Sequence, residues 1–317
     1  MNATVSVIIT AYNQVQYIAD AIESVLQQTC IPAGIIICDD CSTDGTRDII
    51  AHYANQQPKL ITPIFQRKNI GVAANRNSGF KAVSSDYVTW LDGDDRFLPK
   101  KIEMELKLAQ QNPGSIIYSN VYMTDEKLNR LRLLYKKGEQ VNGDLFELIA
   151  TRDLHPPLMM MIPRRCFQET GYLDESFGIY EDWEWKVRLA SRYPFFSCPE
   201  TNYEYRQLKN SLHNLPQDIH FEAMIRVLQT AISLCQNRTQ VDRKRVERHL
   251  HSYHAIVQAK ACCLKNRYPE VLPLLLRAFW LYPGYMGSFP VYRDMLELTL
   301  PGSFVTLLQK MIPQKQP

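Results

Sequence analysis

The stretch Tyr87-Val88-Thr89-Trp90-Leu91-Asp92-Gly93-Asp94-Asp95 sets the terms for the fold. Its first five residues are apolar or strand-favouring and read as a buried strand. Its last four put three carboxylates at the strand's exit. Like charges that close raise one another's proton affinity or require a counter-ion. Two readings fit the tetrapeptide by itself: a solvated Asp-Gly turn, or a site for a hard divalent cation. Mg2+ takes oxygen ligands, commonly one or two carboxylates with substrate phosphates. The second reading puts a metal and a diphosphate at a strand's carboxyl end.

The flanking sequence says how that strand is housed. Val5-Ser6-Val7-Ile8-Ile9-Thr10 and Ile35-Ile36-Ile37-Cys38 are near-continuous apolar runs, the pattern of strands buried on both faces in a parallel sheet. Leu60 to Phe65 reads as a third strand, weakened or placed at an edge by Pro63. Between these strands Tyr17–Gln28, Thr46–Asn55 and Val72–Val83 read as helices. Strand–helix alternation predicts an α/β fold with a parallel sheet, whose ligands bind at the carboxyl ends of strands. Polar clusters stand at three such exits: Thr10-Ala11-Tyr12-Asn13, Asp39-Asp40 and Asp92–Asp95.

Further along, Lys100–Gln111 reads as a helix and Ile116–Tyr122 as a strand. Leu158–Ile162 is a short apolar run and Gly171–Phe177 a loop. Tyr180-Glu181-Asp182-Trp183-Glu184-Trp185 opens a helix to about Ser191, and Phe195-Phe196 and Tyr203–Arg206 read as two short strands. From about Gln217 the texture becomes helical, over His220–Cys235, Val241–Leu264 and Pro269–Trp280. The expected division is therefore 1–215 and a helical region 216–317. The mixed-sign run Asp242–Arg248 reads as a solvated helix face, with a phosphate or anionic-lipid patch as the other reading. The aromatic run Phe279–Met286 is expected in the core of the helical region, or else at a membrane or partner surface.

Composition excludes several classes. The chain has 317 residues, 45% hydrophobic and 22% charged, an ordinary globular balance. A net charge of +3 is too small to imply nucleic acid. No apolar stretch reaches the roughly 18–20 residues that cross a bilayer. The start Met1-Asn2-Ala3-Thr4 lacks a basic leader, so a cytoplasmic location is expected. Eight cysteines without regular spacing suit reduced thiols. Cys38 and Cys41 form a CxxC, but Asp39-Asp40 between them oppose thiolate chemistry, and no second pair completes a zinc site.

The order of blocks resembles the family 2 glycosyltransferases, inverting enzymes with a GT-A-type fold, over about residues 4–212. The blocks are Val5–Asn13, Ser24-Val25-Leu26-Gln27-Gln28-Thr29, Asp39–Thr46, Asn69-Ile70-Gly71-Val72-Ala73-Ala74-Asn75-Arg76-Asn77-Ser78-Gly79, Leu91–Asp95 and Glu181-Asp182. The resemblance implies transfer of a sugar from a nucleotide-diphospho-sugar, with UDP as the expected nucleotide, to an acceptor hydroxyl on a glycan, a lipid-linked or another compound. It implies Mn2+ or Mg2+ at Asp94, with Asp92 facing ribose or metal beside Gly93, and Asp95 in support. Asp40 would bind the base with Asp39 beside it. Thr10, Ala11, Tyr12 and Asn13 would line that pocket, with Tyr12 stacking. Arg76 would sit near the diphosphate, or else be a surface helix residue. Asp182 would be the general base and Glu181 its neighbour on the acceptor side, unless both are only helix N-terminal carboxylates. Trp183 and Trp185 would line the acceptor site or pack in the core.

Two departures qualify the resemblance. Family members often carry a His two residues after a Tyr-Arg pair, where it completes the metal shell. Here Tyr205-Arg206 is followed by Gln207-Leu208, leaving His213 as the one substitute nearby. The processive signature QxxRW is also missing, which points to transfer of one sugar at a time. Peripheral association with the inner face of a membrane fits a lipid-linked acceptor, and the oligomeric state has no sequence signal. The competing function is a nucleotide-sugar-binding scaffold without catalysis. Nucleotidyltransferases and dinucleotide oxidoreductases want a glycine-rich loop after the first strand, and Thr10-Ala11-Tyr12-Asn13-Gln14 has no glycine.

Overall fold

The computed structural model describes residues 3–136, 138–157, 159–208, 216–236 and 243–282. Backbone proximity divides the chain into two compact units, Met1–Asn214 and Leu215–Pro317.

In the first unit the apolar runs form a parallel sheet. Its strands are β1 (Val5–Ala11), β2 (Gly34–Asp39), β3 (Ile61–Phe65) and β4 (Tyr87–Asp92), in the order β3-β2-β1-β4. β8 (Ile162–Pro163) adds an antiparallel edge beside β4. The crossovers carry α1 (Ile18–Leu26), α2 (Thr46–Gln56) and α3 (Val72–Ala82). β3 is an edge strand, which is where Pro63 can sit without breaking a central ladder. Register brings the three polar exits level: Thr10 pairs with Cys38 on one side and Asp92 on the other, and Ala11 pairs with Asp39.

A second sheet has the order β5-β9-β6-β7, from β5 (Arg96–Phe97), β6 (Ile116–Thr124), β7 (Arg130–Leu133) and β9 (Phe195–Arg206). The two short strands expected over 195–206 are one twelve-residue strand. Pro199 hid this continuity. The β6–β9 register shifts after Ser119, which pairs with Cys198 while Asn120 pairs with Thr201, so Pro199 and Glu200 are carried without ladder partners.

The two sheets share one apolar core, joined by a buried polar pin. Lys101, on α4 (Lys101–Gln111), pairs with Glu105 at 2.7 Å and donates to Thr89 on β4. Glu105 in turn accepts from Ser119 on β6. Burial pulls the Lys101 amine down and the Glu105 carboxyl up, each held back by the other.

α5 (Phe146–Ala150), α6 (Arg165–Thr170) and α7 (Glu181–Ala190) complete this unit. α7 packs on α5 and α6. Trp183 and Trp185 are fully buried, their indole N–H groups donating to Ile149 O at 2.7 Å and Gly171 O at 2.9 Å. They are core residues, and the acceptor-lining alternative falls away. Both rings point inward from a helix and satisfy their one donor on backbone, as buried tryptophans usually do.

The second unit holds α8 (Gln217–Gln236), α9 (Arg243–Leu264) and α10 (Tyr268–Leu281), with α9 packed against both others. Ala255, Ile256, Ala259, Cys262, Cys263, Val271 and Ala278 form one buried apolar cluster between α9 and α10, and Val227, Leu228, Ala231 and Cys235 are the buried face of α8. The aromatic run does not fill this core: Trp280 is 81% exposed, and 283–286 lie outside the described residues. Arg243, Lys244, Arg245 and Arg248 are exposed, as a solvated face requires. Among the described residues no helix is long and apolar enough to cross a membrane.

Candidate functional site at the carboxyl ends of β1, β2 and β4

α3 explains why a charged side chain reaches the sheet. It turns polar residues inward: Asn75, Arg76 and Asn77 are all buried. Gly79 lets it lie close, since a β-carbon there would meet Cys38 Sγ at 3.0 Å. Asn75 donates to Cys38 O at 3.0 Å, and Asn77 exchanges hydrogen bonds with Leu173, at 2.9 and 3.0 Å. Arg76 is thereby held between two acids. Its Nη2 donates to Asp92 Oδ1 at 2.9 Å and Oδ2 at 3.1 Å, and its Nη1 donates to Glu181 Oε1 at 2.7 Å. Thr10 Oγ1 also donates to Asp92 Oδ1 at 2.9 Å. Burial opposes the charge on Arg76, but Asp92 and Glu181 outweigh it and the guanidinium stays protonated. The surface-residue reading of Arg76 is thus excluded.

Tyr180 stands in the left-handed region with φ 63°, uncommon for a tyrosine, and it swings the chain into α7. Glu181 and Asp182 follow. Burial lifts the Glu181 carboxyl above the ordinary range, with Arg76 pulling down and Asp182 pushing up. Asp182 goes the other way. Burial raises it, but Lys186, with Nζ 2.8 Å from Oδ2, and then His155 and Arg76 outweigh burial and hold it well below the ordinary carboxylate range. Neighbouring carboxylates are thus pushed apart by their environments.

The acidic turn after β4 is cramped. Gly93 N donates to Thr10 O at 2.8 Å, and a β-carbon on Gly93 would stand 3.0 Å from that oxygen and from Ile18 Cδ1. Arg206 closes the turn: its N donates to Asp95 Oδ1 at 2.8 Å and its Nη1 to Asp94 O at 2.7 Å. Its guanidinium also pairs with Asp20 and lies 4.9 Å from the Tyr17 ring centroid. Asp95 is buried, and burial with Asp94 and Asp92 nearby raises its carboxyl strongly. Asp94 is part-exposed, and burial, then Asp92, push it up to about 6.

At the other exits the acids serve the loops. Asp40 accepts from Ile70 N at 2.7 Å and Gly71 N at 3.0 Å, spending both oxygens on the turn into α3. Asp39 Oδ2 pairs with Arg47 at 3.0 Å and accepts from Ser42 N, while its buried Oδ1 has no hydrogen-bond partner among the described residues. Asn13, at φ 52°, accepts from Thr43 N at 2.9 Å, and Ser42 Oγ accepts from Asn13 N at 2.8 Å. Ala11 O accepts from Asp40 N at 2.9 Å. Tyr12 is 49% exposed beside these clamped loops. Cys38 is buried, and burial lifts its thiol to about 11, away from thiolate chemistry.

The structure therefore joins Thr10, Asp92, Arg76 and Glu181 by direct bonds, with Asp182 next in line. It ties Asp94 and Asp95 to Arg206. His213 lies outside the described residues. Among the described residues no three His, Cys, Asp or Glu side chains converge as a metal cage. Asp92 has both oxygens on Arg76, Asp95 accepts a backbone amide with Oδ1 while its buried Oδ2 has no hydrogen-bond partner among the described residues, and Asp94 is part-exposed beside them. Sequence reading passed over Lys186 and His155, and took Arg206 only as the marker before a missing His. The spacing of Asp182 and Lys186 on one helix was a usable signal for the first; His155 comes from a distant loop and left none, and the contacts of Arg206 depend on the second sheet.

The Glycosyl transferase family 2 model matches residues 6–171, just over half of the chain. The chain belongs to glycosyl transferase family 2. Among its relatives in the family, an uncharacterised glycosyltransferase of Nostoc sp. is 34% identical over 145 residues, 46% of this chain and 45% of the relative. One of Rickettsia typhi is 31% identical over 199 residues, 60% of each chain. The chain spans about half the length of the curated relatives it matches. In fold, it is similar to S. aureus TarS 1–349 crystallised with UDP-GlcNAc, with a TM-score of 0.66 and 16% identity over 94% of this chain and 82% of that one. TarS 1–349 with UDP gives a TM-score of 0.63 at 14% identity, over 90% and 92%. The architecture around the β1, β2 and β4 exits is thus that of a GT-A-type family 2 glycosyltransferase.

Proposed function

We propose that the unit Met1–Asn214 is an inverting glycosyltransferase that moves one sugar from a nucleotide-diphospho-sugar, a UDP-sugar, to an acceptor hydroxyl. The observation that carries the reading is the bridge Asp92–Arg76–Glu181 at the carboxyl ends of β1 and β4. A buried guanidinium that joins a donor-side acid to an acceptor-side acid serves a reaction between two substrates, and family membership supports the same reading. Arg76 orients Asp92 and leaves the part-exposed Asp94 to face the donor. Asp39, with one oxygen unpartnered, is the better-placed acid to accept an N–H from a pyrimidine base, and Asp40 shapes the wall of that pocket. Tyr12 is exposed for stacking on the base.

Asp94, diphosphate oxygens and water suit Mn2+ or Mg2+, which when bound stabilises the charge growing on the leaving diphosphate. The remaining chemistry belongs to Asp182. The acceptor oxygen attacks the anomeric carbon, the bond to the diphosphate breaks, and the acceptor's proton passes to Asp182. An aspartate held this far below the ordinary range is ionised at any working pH but a weak base. Proton transfer is then late, after the new bond has made the hydroxyl acidic. The acceptor class is a glycan, a lipid-linked or another hydroxyl compound.

The test is thermal denaturation of the full chain with Mn2+ and a panel of nucleotides and nucleotide-sugars, UDP and UDP-GlcNAc among them. Ligand at 100 times its Kd adds about 2.7 kcal/mol. If no nucleoside diphosphate stabilises the protein, the reading fails. Donor turnover by Asp182→Asn should fall by roughly 10²–10⁴-fold. Turnover equal to wild type would remove the base and favour a binding scaffold.

A further inference from the structure

Lys186 has no task in the reaction as written, yet it is a fully buried ammonium beside the proposed base. A charge there is costly unless paired and fully hydrogen-bonded. Two acceptors hold it closely and a histidine ring stands farther off. Nζ lies 2.8 Å from Asp182 Oδ2, donates to Pro156 O at 3.0 Å, and stands 3.5 Å from His155 Nε2. An ammonium held by a carboxylate and a backbone carbonyl grips one oxygen of Asp182 and cannot rotate away without losing both bonds. The other oxygen, Oδ1, has no hydrogen bond among the described residues, and the Asp182 side chain is 15% exposed.

We propose that Lys186 is a positioning residue that clamps Asp182 by Oδ2, keeps it ionised, and leaves Oδ1 as the atom that receives the acceptor's proton. The proposal rests on the transferase reading for naming Asp182 the base. The clamp is a separate physical claim. The charged and titratable groups facing Asp182 are Lys186 and Glu181 on α7, Arg76 on α3, His155 on the loop before β8, and Tyr205 on β9. Arg152 faces Lys186 and discourages its charge. Lys186 bonds Asp182 directly.

The clamp is tested by titration of the full chain, followed in the carboxyl 13C signal of Asp182, assigned by its loss in Asp182→Asn. In Lys186→Met the midpoint should rise by about one unit or more, a tenfold gain in proton affinity. In Lys186→Arg it should stay near the wild-type value. The converse is read on Lys186 itself: its 15Nζ midpoint should fall by a similar amount in Asp182→Asn. That arm decides the matter if Lys186→Met does not fold. Where donor turnover is measured, the acid limb of kcat/KM should move with the Asp182 midpoint. An unmoved Asp182 midpoint in Lys186→Met, or an unmoved Lys186 midpoint in Asp182→Asn, overturns the clamp. Shifted midpoints in a protein that turns over no donor uphold the clamp and sink the transferase reading. Turnover lost in Asp182→Asn without either shift does the reverse.

Discussion

Arg76 and Glu181 lie 105 residues apart in sequence, and 2.7 Å separates Nη1 of one from Oε1 of the other. With Asp92 on the other arm of the guanidinium, this contact fastens α7 to the sheet. Replacing Arg76 by Met leaves two acids without their counter-charge. Breaking such a buried pair costs about 3–5 kcal/mol. The urea midpoint of the full chain should drop accordingly. Arg76→Lys should recover only part of the loss, because a point charge cannot bridge both carboxylates. An unchanged midpoint in Arg76→Met would mean the bridge does not hold.

Asp94 supplies a pH dependence with a definite sign. Its folded value of about 6 lies above the ordinary 3.8, so the folded chain binds this proton more tightly than the unfolded one. Its contribution to stability is full below about pH 4 and is lost as pH rises through about 6. Asp94→Asn, neutral throughout, should therefore be more stable than wild type by roughly 1–3 kcal/mol at pH 7.5 with chelator present. At pH 4 the two should match. Added Mn2+ should stabilise wild type and not the variant. Equal melting curves at both pH values would exclude this ionisation.

Gly93→Ala tests the cramped turn. The new methyl meets Thr10 O and Ile18 Cδ1, and overpacking of this kind costs about 1–3 kcal/mol. The melting temperature should fall, and donor affinity should weaken with it because the turn carries Asp94. A variant with wild-type stability would show that the turn has room.

Trp183→Phe separates core from acceptor site. It removes the bond from Nε1 to Ile149 O, which keeps only the longer bond from Arg152 N at 3.3 Å, and leaves a void where the indole was, together a cost of about 1–3 kcal/mol. Stability should fall while KM for the acceptor stays put. A raised acceptor KM at unchanged stability would reverse the assignment.

How much of this was legible depends on how local each signal is. β1, β2 and β4 are continuous apolar runs with acids at their ends, and nothing distant is needed to read them. Arg76 was legible as a helix residue but not as a buried one, because α3 turns polar side chains inward to satisfy Cys38 O and Leu173 rather than presenting an apolar stripe. Trp183 and Trp185 follow the acid pair in sequence, yet helical rotation sends them away from it. β9 was obscured by Pro199, since a bulge that absorbs a proline exists only in the partner strand's register. Asp40 looked like a free acid at a strand's end, and only the fold brings Ile70 and Gly71 N–H groups to it.

The contacts of Arg206 with Asp94 and Asp95 impose an order on assembly. β1 can find β4 once residue 92 has been synthesised, but the turn after β4 stays unfinished until β9 is laid beside β6 and delivers an arginine from more than a hundred positions downstream. Chain closure over such separations is slow, and translation adds only about 5–20 residues each second. A nascent chain therefore carries its acidic turn open and mutually repelling for seconds before the last strand arrives. Truncation between residues 164 and 205 would keep every strand of the first sheet and leave the turn after β4 without its clasp.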